Sequence, residues 1–391
     1  MSTNYANKLH SLQARRTGGT GGARLLSKHM AMDSRVYADS VSTRDSLATE
    51  SYQVRAGNKS ATSFALGAMQ EVEKRFTDAA LAEADRVKRY LQGKLRSRLK
   101  AEFELQGSVP MNLHIEGISD VDLLCLRTDY RTYSPKGESA KAGKYGSWPA
   151  ELEGVEPADW LLELRADAER HLVECYGESS VNTKSNKSIG LSGPSFSVKV
   201  DVVPAHWYHG VEYQRSKDES DKGVSIYVLN EHKTVTNYPF RYMREVKSVD
   251  DQSNGGIKSS IRLLKNLRAD SDAKGDIRLL SSYDIAALVY HLDPQQLFLN
   301  EGSELRVMAR LEQRLAALCH DEAALMKLRT PDDTRYIINA REKVAEIKII
   351  IQELKGLNEM VAEENDASYA RKSHFAQDAG EILTNTRIPL V

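Results

Sequence analysis

The spacing of apolar residues changes several times along this chain, and each change predicts a different element. Between Phe64 and Lys100, Met69, Val72, Phe76, Ala80, Val87, Leu91, Leu95 and Leu99 recur at threes, fours and sevens, which predicts one long amphipathic helix. From Gln106 to Leu126 the period shortens, and a strand, a Gly107-Ser108 turn and a second strand are expected. Alternation along that second strand puts Asp120 and Asp122 on one face and Val121, Leu123 and Cys125 toward the core. Helical spacing returns from Trp148 to Tyr176 through Trp160, Leu161, Leu164, Ala168, Leu172 and Cys175. Two further strands follow around Gly193-Pro194, with Val198, Val200 and Val202 on one side and Lys199 and Asp201 on the other.

Downstream the pattern is helical. Lys258 to Arg268 turns Ile261, Leu264 and Leu267 inward, while Lys258, Arg262 and Lys265 share one flank. Leu280 to Leu292 reads as a Ser-capped helix. Tyr336 to Met360 carries a stripe of Ile337, Ala340, Val344, Ile347, Ile351 and Leu354. That stripe is expected to pack within the chain rather than form a dimer, so a monomer is favoured. Residues 1–62, rich in Ser, Thr, Gly and Arg, read as a flexible or loosely docked arm, and residues 376–391 as a mobile tail. The predicted order is therefore an arm at 1–62, a strand-and-helix region at 63–215, a helical region at 216–375 and the tail.

Composition narrows the class. The 391 residues carry 54 Lys plus Arg against 55 Asp plus Glu, so no overall basic excess argues for a nucleic-acid-coated surface or an anionic membrane. Cys125, Cys175 and Cys319 are too far apart for a thiolate metal site or a disulfide framework. No apolar run approaches the roughly 20 residues of a membrane span, so a cytoplasmic protein without membrane contact is expected. Thr17 to Arg24 is glycine-rich, but it lacks the Lys-Ser/Thr and the preceding strand of a phosphate loop.

The chemistry-bearing residues are carboxylates on strands. A bare Asp-X-Asp can be a solvated strand face. Two carboxylates forced onto one side also suit a hard divalent cation shared with substrate phosphates. Asp201 makes the second reading the economical one, because Asp is depleted in strands and costly to bury unpaired. His206 and His209 lack a second ligand pair and read as packing and surface imidazoles. Cys319-His320-Asp321 has no partner motif.

Gly107-Ser108, Asp120-X-Asp122 and Val200-Asp201-Val202-Val203-Pro204-Ala205 resemble the polymerase-beta-type nucleotidyltransferases, in the group of oligoadenylate synthetase, cyclic GMP-AMP synthase and the bacterial cyclic-oligonucleotide synthases of antiphage defence. The resemblance spans roughly residues 66 to 300. It implies an α/β (α+β) fold with a mixed-sheet catalytic lobe and a helical C-terminal lobe. Asp120, Asp122 and Asp201 would hold Mg²⁺, or Mn²⁺ in its place. Gln106, Gly107 and Ser108 would seat the donor triphosphate, Lys265 and Ser282 would meet phosphates, and Tyr283 would stack on a base. One departure concerns the seating of the triphosphate: Pro110-Met111-Asn112 stands where the family often has Gly-Thr.

The function so implied is synthesis of a cyclic or linear oligonucleotide messenger from NTPs, releasing pyrophosphate, with a downstream effector that binds the product. Two alternatives are a transferase that places a nucleotide on RNA or protein, and an inactive NTP-binding scaffold. Base identity, ring size and any need for an activator are left open.

Overall fold

The computed structural model describes residues 5–16, 51–115, 119–146, 154–371 and 378–390. Its contacts fall into two compact units. One comprises Met1–Glu73, Asn112–Gly117 and Glu245–Val391, and the other Lys74–Met111 and Ile118–Arg244. The expected boundaries at 62/63 and 215/216 are thus displaced. Strands at Gly223–Val228 and Lys233–Asn237 extend the sheet unit well past 215.

The helical unit contains α1 (Tyr5–Arg16), α2 (Ser51–Ala56) and α3 (Ser60–Met69). The single helix expected from Phe64 to Lys100 is in fact broken. Gln70 leaves helical geometry at φ −69°, ψ 148°, and a new helix, α4 (Lys74–Lys94), begins in the other unit. The apolar spacing runs through the break because Val72 is buried too, and spacing alone does not register a backbone turn. Every residue of α3 from Ala61 to Met69 is buried, as befits a central helix covered on all sides.

The described part of the expected arm is firmly docked, which corrects that expectation. Arg15 of α1 grips Asp270 at 2.5 and 2.6 Å, Lys8 reaches Glu353 at 2.6 Å, and Tyr5 and Leu12 are buried. The Thr17–Arg24 stretch lies outside the described residues. The expected tail is docked as well. Ile382, Leu383 and Ile388 are buried, and the Ile388 amide donates to the Gly302 carbonyl at 3.0 Å.

Among the described residues the other unit is built on a seven-stranded mixed sheet. Its strands are β1 (Ala101–Gln106), β2 (Val121–Tyr133), β3 (Val181–Asn182), β4 (Ile189–Leu191), β5 (Val200–His209), β6 (Gly223–Val228) and β7 (Lys233–Asn237). β2 pairs antiparallel with β1 and parallel with β5. The opposite edge of β5 is shared, with β4 on Val200–Val202 and β6 on Ala205–Tyr208. α4 and α5 (Pro157–Tyr176) cover one face, where Val87, Leu91, Leu161, Leu164 and Leu172 pack on Leu123, Cys125, Val200 and Val202. Leu124, Leu126, Val203 and Ala205 form a second buried cluster. β2 is therefore buried on both faces from Leu123 to Arg127, rather than half-buried as its first residues suggested. A strand flanked on both edges and covered on both faces reads as a near-continuous apolar run.

In the helical unit the remaining long elements are α6 (Pro239–Gln252, within which the division between units falls), α7 (Gly256–Asp270), α8 (Ser282–Tyr290), α9 (Glu304–His320), α10 (Glu342–Asn365) and α11 (Ala379–Asn385). The stripe read from Ile337 to Leu354 is buried at Val344, Ile347, Ile351 and Leu354, and α10 packs against α3, α7, α9 and α11. No described helix is long and apolar enough to cross a membrane.

Candidate active site

Sheet register assembles the three aspartates. Asp122 sits directly across from Asp201 on the parallel neighbour and across from Gln106 on the antiparallel one. Adjacent strands lie about 4.8 Å apart, so Asp122 and Asp201, nearly eighty positions apart in sequence, become neighbours. Asp120 lies one residue before β2, where the Val121 amide donates to the Lys199 carbonyl at 3.0 Å. That bond fixes the start of β2 against the segment entering β5.

Gly107 follows β1 at φ +85°, and a Cβ there would stand 2.4 Å from Asp122 Oδ2. The position therefore demands glycine twice, once for its backbone angle and once for the carboxylate that occupies the side-chain space. Gly190, opposite Asp201, has a milder version of the same crowding, with Asp201 Oδ1 3.3 Å from its would-be Cβ. Beyond Gly107, Val109 is buried with Ala80, Ala84 and Val121, so the atypical Val109-Pro110-Met111 stretch is anchored on α4. Among the described residues the Ser108 hydroxyl has no hydrogen-bond partner.

The electrostatics follow from this crowding. Burial, then the facing carboxylates of Asp201 and Asp120, push the Asp122 carboxyl up to about 7, and Lys199 opposes the shift. Lys199 donates to Asp120 Oδ2 at 2.7 Å and to Asp201 Oδ2 at 3.0 Å. Partial burial works to lower its pKa, but these two contacts outweigh burial and hold the ammonium above its ordinary range. Among the described residues no three His, Cys, Asp or Glu side chains form a ready-made metal cage. The aspartates converge, with a lysine spanning two of them.

Lys199 was not singled out from the sequence, although the signal was present. It stands two residues before Asp201, hence on the same strand face. Glu83 gave no comparable signal. It is buried on α4, accepts from the Ser197 hydroxyl at 2.8 Å and pairs with Arg86, which donates to the Ser195 carbonyl at 2.9 Å. The pair holds the loop that leads to Lys199 and Asp201.

Lys265, Ser282 and Tyr283 belong to the helical unit. Lys265, read as a flank cation of an amphipathic helix, is only 5% exposed, and its ammonium donates to the Leu113 carbonyl. Burial, then the nearby Arg262 and Arg268, lower it to about 8. Arg262, 4% exposed, donates to the carbonyls of Met69 at 2.8 Å and Asn112 at 2.9 Å. These two cations of α7 are thus committed to backbone oxygens, those of Asn112 and Leu113 among them. Position on a helix flank says nothing about what will cover that flank. Ser281, not Ser282, caps α8 through a reciprocal capping box with Asp284, which leaves Ser282 exposed. Arg335 lies over the Tyr283 ring at 5.3 Å.

Residues 244–359 match the C-terminal helical domain of cGAS/DncV-like nucleotidyltransferases. The chain is 38% identical over 299 residues to the cyclic dinucleotide synthase CdnE of Yersinia aleksiciae, covering 76% of each chain. It is 27% identical to a c-di-GMP synthase of Capnocytophaga granulosa over 74% of this chain and 84% of that one. The structure of a STING-associated CdnE c-di-GMP synthase from Capnocytophaga granulosa superposes with a TM-score of 0.64 at 25% identity, covering 91% of this chain and 97% of that one. A STING-associated counterpart from Flavobacteriaceae sp. shares the fold at a TM-score of 0.72 and 21% identity, covering 95% and 100%.

Proposed function

Because the chain belongs to the cGAS/DncV-like nucleotidyltransferases, we propose that it joins two nucleoside triphosphates into a cyclic dinucleotide, releasing pyrophosphate. The observation that carries this reading is the register of Asp122 against Asp201 beside the Gly107 turn, in a chain 38% identical to a cyclic dinucleotide synthase.

The residues present suit a divalent metal such as Mg²⁺ or Mn²⁺. Three carboxylates converge, Asp122 has no hydrogen-bond donor among the described residues, and a cation already spans Asp120 and Asp201. Bound there, such a metal would supply activation of the attacking hydroxyl and neutralisation of the departing pyrophosphate. Asp120, Asp122 and Asp201 would hold it.

The protein's own groups do the rest. Gly107, lacking a side chain, lets the triphosphate approach the backbone beside Asp122. The Ser108 hydroxyl, without a partner among the described residues, donates to a phosphate oxygen, and Gln106 ends the strand that aims this turn. Ser282, exposed in the first turn of α8, is assigned to phosphate and Tyr283 to base stacking. Lys265 donates to the Leu113 carbonyl within its own unit. The product is assigned the role of a messenger read by a separate effector in antiphage signalling. That assignment is supported by a relative described as STING-associated.

The test is incubation of the full chain with labelled NTPs and Mg²⁺, phosphatase digestion and mass spectrometry of what survives. A phosphatase-resistant cyclic dinucleotide, lost in Asp120→Asn and Asp201→Asn, is expected. Label retained on added RNA or protein, or NTP binding without any product, would refute the reading.

A further inference from the structure

Lys199 is held at its backbone and open along its side chain. Its carbonyl is pinned by the Val121 amide at 3.0 Å, so its Cα has no freedom to withdraw. Its ammonium nonetheless reaches two carboxylates that enter from different strands, Asp120 at 2.7 Å and Asp201 at 3.0 Å, and at 42% side-chain exposure its flexible stem has open space to move into. The formal charges are three carboxylates against one ammonium. Without that ammonium, Asp120, Asp122 and Asp201 would face one another with no cation between them, a costly arrangement in a partly desolvated place. The contacts engage one oxygen each of Asp120 and Asp201, oxygens that a divalent ion at this site would also seek.

We infer that Lys199 is an internal counter-cation: its ammonium holds Asp120 and Asp201 in place in the metal-free protein and competes with a divalent metal for the same two oxygens. Lys199 is thus a positioning residue that sets the metal concentration at which the site fills. It makes the site reluctant to take metal alone, so that the extra phosphate ligands of a bound nucleotide are needed to complete the exchange. The inference rests on the reading of the three aspartates as metal ligands.

The experiment titrates the full chain with Mn²⁺ by calorimetry, first without nucleotide and then with a non-hydrolysable NTP analogue, and follows thermal unfolding in EDTA. Lys199→Met keeps the length of the stem and removes the charge. Exposed ion-pair contacts are individually weak, so two of them predict a Mn²⁺ affinity about three- to tenfold tighter in Lys199→Met without nucleotide. The EDTA melting temperature should fall, and the difference from wild type should close as Mn²⁺ is added. Lys199→Arg should keep the wild-type melting temperature in EDTA.

Tighter Mn²⁺ binding with an unchanged EDTA melt would overturn the bridge, since a general change in field raises affinity without loosening the metal-free protein. Unchanged or weaker Mn²⁺ binding in Lys199→Met would overturn the competition, provided that wild type binds Mn²⁺ and Asp201→Asn does not. Absence of Mn²⁺ binding in wild type, with and without the analogue, would instead remove the metal reading itself and the inference with it.

Discussion

Gly107→Ala tests whether the site is as crowded as it looks, and Gly143→Ala supplies its control. Both glycines have left-handed backbone angles, φ +85° at Gly107 and +65° at Gly143, but a Cβ at Gly143 meets nothing within 4 Å. Gly143→Ala should therefore cost only the backbone term, about 1 kcal/mol, and leave catalysis unchanged. At Gly107 the same term applies and a collision is added. The new Cβ would lie 2.4 Å from Asp122 Oδ2, roughly 0.9 Å inside a close carbon–oxygen contact of about 3.3 Å. The carboxylate has to rotate off its preferred angle, at about 0.5–1.5 kcal/mol. Gly107→Ala should thus lose roughly 1.5–2.5 kcal/mol of stability in urea unfolding. Displacing a reacting-centre carboxylate by nearly 1 Å should also slow pyrophosphate release about 10²-fold at saturating NTP. A Gly107→Ala rate within threefold of wild type, or an equal rate loss in Gly143→Ala, would refute the argument that the turn and the carboxylate share one space.

Three further outcomes are expected. Asp122→Asn should reduce pyrophosphate release by more than about 10²-fold yet raise the melting temperature in EDTA at pH 8, because it removes a carboxylate facing two others; a lower melting temperature would contradict the repulsion. The pH dependence has a definite sign. The Asp122 carboxyl is raised from 3.8 to about 7 on folding, so the folded state holds that proton more tightly than the unfolded one. The resulting stability is full below about 3.8 and is lost as pH rises toward 7, so the metal-free protein should melt lower at pH 8 than at pH 6, a slope that Asp122→Asn should flatten. On α8, Ser281→Ala should cost about 1 kcal/mol through loss of the cap. Ser282→Ala should leave the melt within about 0.5 kcal/mol and raise the KM for NTP; an unchanged KM would remove Ser282 from the nucleotide site.

Much of the sheet unit was legible in the chain's pattern. The period-two run around Asp122 and the valines around Asp201 marked strands and identified the acidic positions, because a carboxylate among β-formers stands out wherever it occurs. The reading failed at other points for physical reasons. The break between α3 and α4 was hidden because both helices and the turn between them bury apolar residues. The docking of α1 depends on Asp270 and Glu353, which lie hundreds of residues away. Lys265 and Arg262 looked like surface cations because a helix flank has no label for what packs over it.

The sequence by itself determined the elements that local periodicity can encode, and the residue types of the site: three aspartates, a glycine free to turn and a neighbouring serine. Only the tertiary structure decided which of these meet. The parallel pairing of β2 with β5 sets Asp122 against Asp201, the turn after β1 places Gly107 against the Asp122 carboxylate, and Lys199 comes to span Asp120 and Asp201. Register between strands distant in the chain is a property of their shared hydrogen bonds and covering helices, and no single segment carries it.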